Sequence, residues 1–300
     1  PATVYMGVDA RRDHSMRVPR PDIAAQIDAP NACNMCHTDR ATSWSVSSIE
    51  SWLGKNASKP ELAAQAIYAA RINAPDANQQ LIDLANNVTI NELTRATALG
   101  LLENYPNISS YSTAQQQLKS DKPLLRIGAL NALAFLPLQQ RWQDISPLLN
   151  DPVRSVRLET TKLIMGIAGL DSTQQAELDR HIERYIEALM VNADMPNGQL
   201  NLAAAYLAQG AYQKAEQAYQ HALKLDPQSV PARLNLADLY RIQGQETKAL
   251  KQLLQAQTAN ANNATILFSL GLAQIRGKQI ASALISLEKA SGLAPEISRY

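Results

Sequence analysis

The last third of the chain repeats itself every 34 residues, and no other feature restricts its fold as severely. Windows 196–229, 230–263 and 264–297 carry Leu202, Leu236 and Leu270 at the seventh position and Ala203, Ala237 and Gly271 at the eighth. Ala215, Ala249 and Ala283 stand at the twentieth, Tyr219, Leu253 and Leu287 at the twenty-fourth, and Ala222, Ala256 and Ala290 at the twenty-seventh. A period in this range marks a stack of supersecondary units, none able to bury its apolar face alone. The spacing predicts one helical hairpin per window, with small residues where its helices cross, larger ones reaching the next unit, and a turn near Gly210 and Gly244. Pro227 and Pro295 then end the second helix of a unit. The third window departs, with Gly277 one position early and Gln274 in place of an aromatic residue.

With Tyr206, Gly210, Tyr212 and Pro227, the first window resembles the tetratricopeptide repeat (TPR). That resemblance implies a helical superhelix whose concave groove takes a protein or peptide partner, with Asn201, Asn235 and Arg241 among its polar lining. Residues 177–192, with Tyr185 and Ala188, read as the second helix of an earlier, degenerate unit, so TPR structure is expected over 171–300.

A looser period of 31 residues runs through the middle of the chain: Arg95, Arg126 and Arg157, then Leu101, Ala132 and Leu163, then Leu102, Leu133 and Ile164. Ala64 and Ala70 allow a fourth, weaker unit. Asp121 and Asp151 precede Pro123 and Pro152, a pattern in which Asp caps a helix and Pro enters its first turn. The stretch Asp151 to Arg157 resembles the opening of a HEAT-type repeat, and stacked helix pairs are expected over 60–170. The recurring arginine is expected to pair with an Asp or a helix end in the next unit.

Composition agrees with an all-α chain, an α-solenoid of HEAT-like and TPR hairpins: 46% of residues are hydrophobic but only 5% aromatic, with 12 Gly in 300 residues. A formal net charge of +1 gives no drive toward nucleic acid. The longest apolar stretches, 163–170 and 128–138, are far shorter than the roughly 20 residues of a membrane span. Residues 60–195 hold 11 basic and 15 acidic side chains, and residues 196–300 hold 10 and 6, a split that partner choice and solvated faces explain equally well. Phosphate-binding glycine loops and the nucleophile–base patterns of hydrolases are absent.

Residues 1–59 lack sustained periodicity until about Ser45 and hold the chain's two cysteines, in Cys33-Asn-Met-Cys36-His37. This is the C-x-x-C-H pattern of covalent haem attachment. Thiols three residues apart share one side of a helical turn and reach two vinyl groups of one porphyrin, and the next residue, His37, is directed toward the iron as proximal ligand. A structural zinc site would need further ligands that four histidines and no additional cysteine do not supply in paired spacing. A thioredoxin-like redox pair would need a strand–helix–strand context. His181 and His221 fall in helical repeats and are expected in structural or surface roles.

The run Tyr5-Met6 through Asp13-His14-Ser-Met16-Arg17-Val-Pro19-Arg20-Pro21-Asp22, followed by Pro30-Asn31-Ala32-Cys33, is similar to multihaem c-type cytochromes of the cytochrome c-554-like kind that carry C-terminal TPR repeats. The resemblance implies that Cys33 and Cys36 form thioethers to one haem c, that His37 is its proximal iron ligand, and that His14 is a candidate distal ligand to this haem or to an upstream one. Met16 and Met35 are alternative sulfur ligands. Arg11, Arg12, Arg17 and Arg20 pair with haem propionates or, equally, with Asp9, Asp13 and Asp22. It also implies that the chain is the C-terminal part of a longer cytochrome with more haems upstream, located in the periplasm or at the cell surface, where covalent haem is attached.

The expected function is therefore electron transfer by a haem segment (1–59) joined to a protein-binding solenoid, with a redox partner protein besides the groove partner. Two alternatives stay open: a TPR/HEAT assembly scaffold in which haem is absent or incidental, and part of a multihaem oxidoreductase. Electron carriage is favoured over a catalytic role.

Overall fold

The computed structural model describes residues 3–6, 9–12, 19–54, 62–295 and 297. The chain divides into two compact units, Pro1–Pro137 and Leu138–Tyr300. Apart from one short hairpin, the regular structure of the described residues is helical, an α-solenoid pattern in which helices within each unit pack mainly on near neighbours in sequence.

In the first unit, β1 (Thr3–Met6) and β2 (Asp9–Arg12) pair antiparallel, with Val4 opposite Arg11 and Tyr5 opposite Ala10. This hairpin corrects the expectation of an irregular N-terminal segment; Thr3, Val4 and Tyr5 are residue types that favour extended backbone. Two helices follow, α1 (Pro21–Gln26) and α2 (Thr42–Leu53), which pack on each other. The rest of the unit is α3 (Leu62–Arg71), α4 (Ala77–Asn86), α5 (Glu92–Leu101), α6 (Ile108–Gln117) and α7 (Pro123–Ala132). Asparagines open two of these helices: Asn91 Oδ1 accepts from the Thr94 amide, and Asn107 Oδ1 from the Ser109 and Ser110 amides. Helices α5 and α7 cross at Gly128, where a Cβ would stand 2.6 Å from the Ala96 carbonyl oxygen. Only glycine permits that approach.

The second unit runs α8 (Leu138–Ile145), α9 (Arg154–Ile164), α10 (Ser172–Leu189), α11 (Pro196–Ala208), α12 (Tyr212–Leu225), α13 (Val230–Ile242), α14 (Glu246–Ala259), α15 (Ala264–Arg276) and α16 (Ile280–Leu293). Asp171 opens α10 with a reciprocal capping box to Gln174. Consecutive helices from α8 to α16 pack on one another.

The 31-residue register is the spacing of helix pairs: Arg95, Arg126 and Arg157 each occupy the fourth position of α5, α7 and α9. Each guanidinium reaches back to a carbonyl at the end of the preceding segment. Arg95 donates to Ala85 (2.8 Å), Arg126 to Ser120 (2.7 Å), and Arg157 to Asp151 (2.6 Å) and Pro152 (3.0 Å). These carbonyls precede the arginine in the chain, in the end of α4 for Arg95 and in the turns before α7 and α9 for Arg126 and Arg157, and not in the next unit as expected. The expected Asp caps need correction. Helix α7 starts after Lys122 with no side-chain cap, and α9 starts after Val153 with none. The Asp151 carboxylate instead accepts from the Val153 amide (2.8 Å), shaping the turn before the helix.

In the 34-residue register every signature position is buried except Leu287, which is half-buried. The hairpin turns at Gly210 and Gly244 take left-handed backbone, φ 68° and 70°. Amide-to-carbonyl bonds close each turn, Ala211 to Tyr206 (2.9 Å) and Gln245 to Tyr240 (2.8 Å). The third unit keeps the turn despite its displaced glycine, because Lys278 itself takes φ 57° and Gln279 donates to Gln274 (2.8 Å). Gln274 substitutes for the aromatic side chain by accepting from Ser286 Oγ (2.8 Å) inside the core. Gly271 makes room for Leu287, whose Cγ would lie 2.6 Å from an added Cβ.

Candidate functional site

The Cys33–His37 segment forms one tight turn. The Cys36 and His37 amides donate to the Cys33 carbonyl, at 3.2 and 2.9 Å, so both cysteines and the histidine are presented by a single loop of backbone. Both thiols are free, Cys36 and His37 are exposed, and the His37 ring rests tilted against Trp44 of α2 with centroids 4.8 Å apart. The Arg40 guanidinium lies over the same indole, 5.9 Å from its ring centroid.

Asn34, inside the motif, ties this turn together. Its Oδ1 accepts from Asn31 Nδ2 (2.7 Å) and from Ser45 Oγ (2.8 Å), and its Nδ2 donates to the His37 (3.3 Å) and Arg40 (2.6 Å) carbonyls. Ser45 is fully buried in α2. The pattern C-x-x-C-H does not specify its middle residues, so sequence reasoning passed over Asn34, Ser45 and Trp44. Asparagine inside the motif, with serine early in the following helix, is the signal that would have found them.

Of the other residues assigned to this region, His14, Met16 and Arg17 lie outside the described residues, and Met35 is exposed. Arg20 forms a two-pronged pair with Asp22, Nε to Oδ1 at 2.9 Å and Nη2 to Oδ2 at 2.8 Å, the carboxylate pairing anticipated as one of two readings. The Arg20 hydrogen bond holds the Asp22 carboxyl below its usual range. No cluster of three or more His, Cys, Asp or Glu side chains suited to a metal ion occurs among the described residues.

In the second unit a cleft of about 360 Å³ opens among α13, α14 and α15. Leu234, Leu253 and Leu272 supply apolar floor, and Asp238, Arg241, Ser269 and Arg276 its polar lining. Arg241 pairs with Asp238 at 3.0 Å, and Arg276 with Glu246 at 3.2 Å. Arg241, one of the polar residues expected to line a groove, lines this cleft. Asn201 and Asn235 are exposed on α11 and α13 but do not line this cleft. His221 is exposed on α12, and His181 is buried in α10.

Tetratricopeptide-repeat family models match residues 196–229 and 218–251. These residues are TPR repeats. The first match coincides with the α11–α12 window, and the second starts within α12 and takes in α13. Crystal structures of MamA are similar at 17% identity over 65% of this chain and 99% of theirs (TM-score 0.38), and at 14% over 75% and 96% (TM-score 0.36). The APC/C hetero-tetramer Cut9–Hcn1 is similar at 15% over 78% of this chain and 46% of its own (TM-score 0.44). No curated protein matches the sequence. The family matches cover none of residues 1–59, so the likeness to multihaem cytochromes rests on the sequence run alone.

Proposed function

We propose that the TPR region is a protein-interaction scaffold, the reading expected only as an alternative, and that its α13–α15 cleft takes an extended segment of a partner protein. One observation carries this: an apolar floor flanked by Arg241 and Arg276, on repeats whose other signature residues are used up in packing. A leucine floor accepts an apolar side chain of the bound segment, and the two guanidinium groups, whose pairs with Asp238 and Glu246 are exposed and weak, exchange those partners for carboxylates of the segment. Selection from a peptide library on the full chain tests the reading. Enriched peptides carrying an apolar residue next to acidic ones are expected to lose binding at least tenfold on Leu272→Glu and to keep it on Ile280→Glu, an exposed change outside the cleft. Equal retention by both variants would remove the cleft from the function.

A second reading is supported by the turn geometry at Cys33. Cys33 and Cys36 would hold a haem c through thioethers, and His37 would be its proximal ligand. His14 is proposed as distal ligand on the resemblance only. Bound there, the group supplies one-electron chemistry and calls for a redox partner and a location outside the bacterial cytoplasm. The chain's own contribution is a preshaped turn: Asn34 fixes the backbone, and Trp44 backs His37. Coexpression with a cytochrome c maturation system, followed by intact mass and visible absorption, decides the matter. A covalent haem mass lost in Cys33→Ala/Cys36→Ala supports attachment, and an unmodified mass in the wild type rejects it.

A further inference from the structure

A second cleft, remote in sequence from the groove residues, lies between α9 and α10 and encloses about 300 Å³. Arg154, Arg157 and Thr161 line it from α9, at helical spacings of three and four that place them on one stripe; His181, Arg184 and Glu187 face them from α10. Three guanidinium groups against one carboxylate leave the lining with two uncompensated positive charges.

Two observations distinguish this cleft from an ordinary basic surface. Arg157 is anchored: its Nη1 donates to the Asp151 and Pro152 carbonyls, which fixes the plane of the guanidinium at the edge of the cleft. His181 is only 7% exposed, lines the cleft, and makes no hydrogen bond among the described residues. The residual exposure of this side chain lies at a residue that lines the cleft. Burial and the nearby Arg184, Arg157 and Arg180 charges, opposed by Glu177, keep the imidazole neutral below its ordinary range, so it arrives able both to donate and to accept. The Arg154 and Arg184 side chains likewise have no hydrogen-bond or ion-pair partner among the described residues.

We infer that this α9–α10 cleft binds a phosphate dianion, free or as a monoester, held by Arg154, Arg157 and Arg184 with His181 at its base. The charge matches: a phosphate group carries roughly −1.5 to −2 at neutral pH, against two net positive charges here, and planar guanidinium forks suit its oxygens. A monocarboxylate would leave one positive charge unmet. The site is independent of the groove reading, since none of its residues lines the α13–α15 cleft.

Titration calorimetry of the full chain at constant ionic strength tests this with inorganic phosphate, phenyl phosphate and acetate. Saturable binding of one phosphate per chain is expected, at least tenfold weaker in Arg154→Gln/Arg184→Gln and unchanged in Lys162→Gln, which removes a nearby charge on α9 that pairs with Glu159 outside the cleft. Tighter phenyl phosphate than phosphate assigns the site to an ester, and the reverse to the free ion. Phosphate is also expected to raise the His181 imidazole pKa followed by NMR. Absence of saturation, acetate binding as tightly as phosphate, or equal weakening by Lys162→Gln overturns the inference. Thermal melts of each variant establish that a loss of binding is not a loss of fold.

Discussion

The helix pairs of the 31-residue register and those of the 34-residue register close their joints by different means. In the first, an arginine at the fourth position of α5, α7 or α9 crosses back to a carbonyl of the chain before its helix, in the end of α4 for Arg95 and in the preceding turn for Arg126 and Arg157. In the second, the chain folds through a left-handed residue and its own amides close the turn. The arginine joint leaves the turn sequence free to vary but depends on one long charged side chain. The backbone joint needs no side chain and depends instead on a conformation that L-residues disfavour. This is why the 34-residue period is the sharper of the two on the page: packing and turn both restrict residue type, whereas an arginine joint restricts one position in 31.

The comparison can be broken most forcefully at the α5–α7 crossing. Gly128→Ala would drive a methyl into the Ala96 backbone, which has no rotamer with which to yield, and is expected to lower stability by about 3 kcal/mol in chemical denaturation. Arg126→Met keeps the aliphatic stem but leaves the Ser120 carbonyl without its charged donor, at a cost of about 2 kcal/mol. The backbone joint is probed by a pair of opposite changes. Gly210→Ala should cost about 1 kcal/mol, and Lys278→Gly should gain a similar amount, because each exchanges a residue at a left-handed position. A neutral Lys278→Gly would show that the third turn is relaxed and that the two kinds of joint differ less than their geometry implies.

The smallest effect sits where the two registers meet, in α10, which packs on both α9 and α11. His181 is depressed below its ordinary value of 6.5 by burial first and by Arg184 next, so the unfolded chain takes up this proton before the folded one. Its contribution to stability is whole above that value and declines as pH falls through it. Denaturation midpoints measured down from neutral pH should show this decline, and His181→Gln should flatten it.

Much of the architecture was legible from sequence because a repeat reports its own packing: the five matched positions per window became the seam of α11 to α16, buried but for half-buried Leu287, and the even spacing of three arginines became three guanidinium-to-carbonyl bonds that reach back along the chain. Asp121 and Asp151 were misread because proline moved the helix start past them, so neither stands where a cap must be. The hairpin at 3–12 was missed because four-residue strands carry too little alternation to register as a pattern. For the candidate sites, the cysteine motif and Arg241 were visible as residue types, but the cleft floors and the α9–α10 cleft arise from side chains on separate helices whose facing only the fold supplies.

Asn34 has one consequence for the cysteine motif. Because its amide bridges the turn to buried Ser45, the backbone of Cys33 to His37 keeps its shape wherever α2 is folded, with Cys36 exposed and Cys33 half-buried. A partner that reaches those thiols on the folded chain meets a surface whose ordering entropy has already been lost. Asn34→Ala should then slow thiol capture by a bifunctional reagent more than it lowers the stability of the fold.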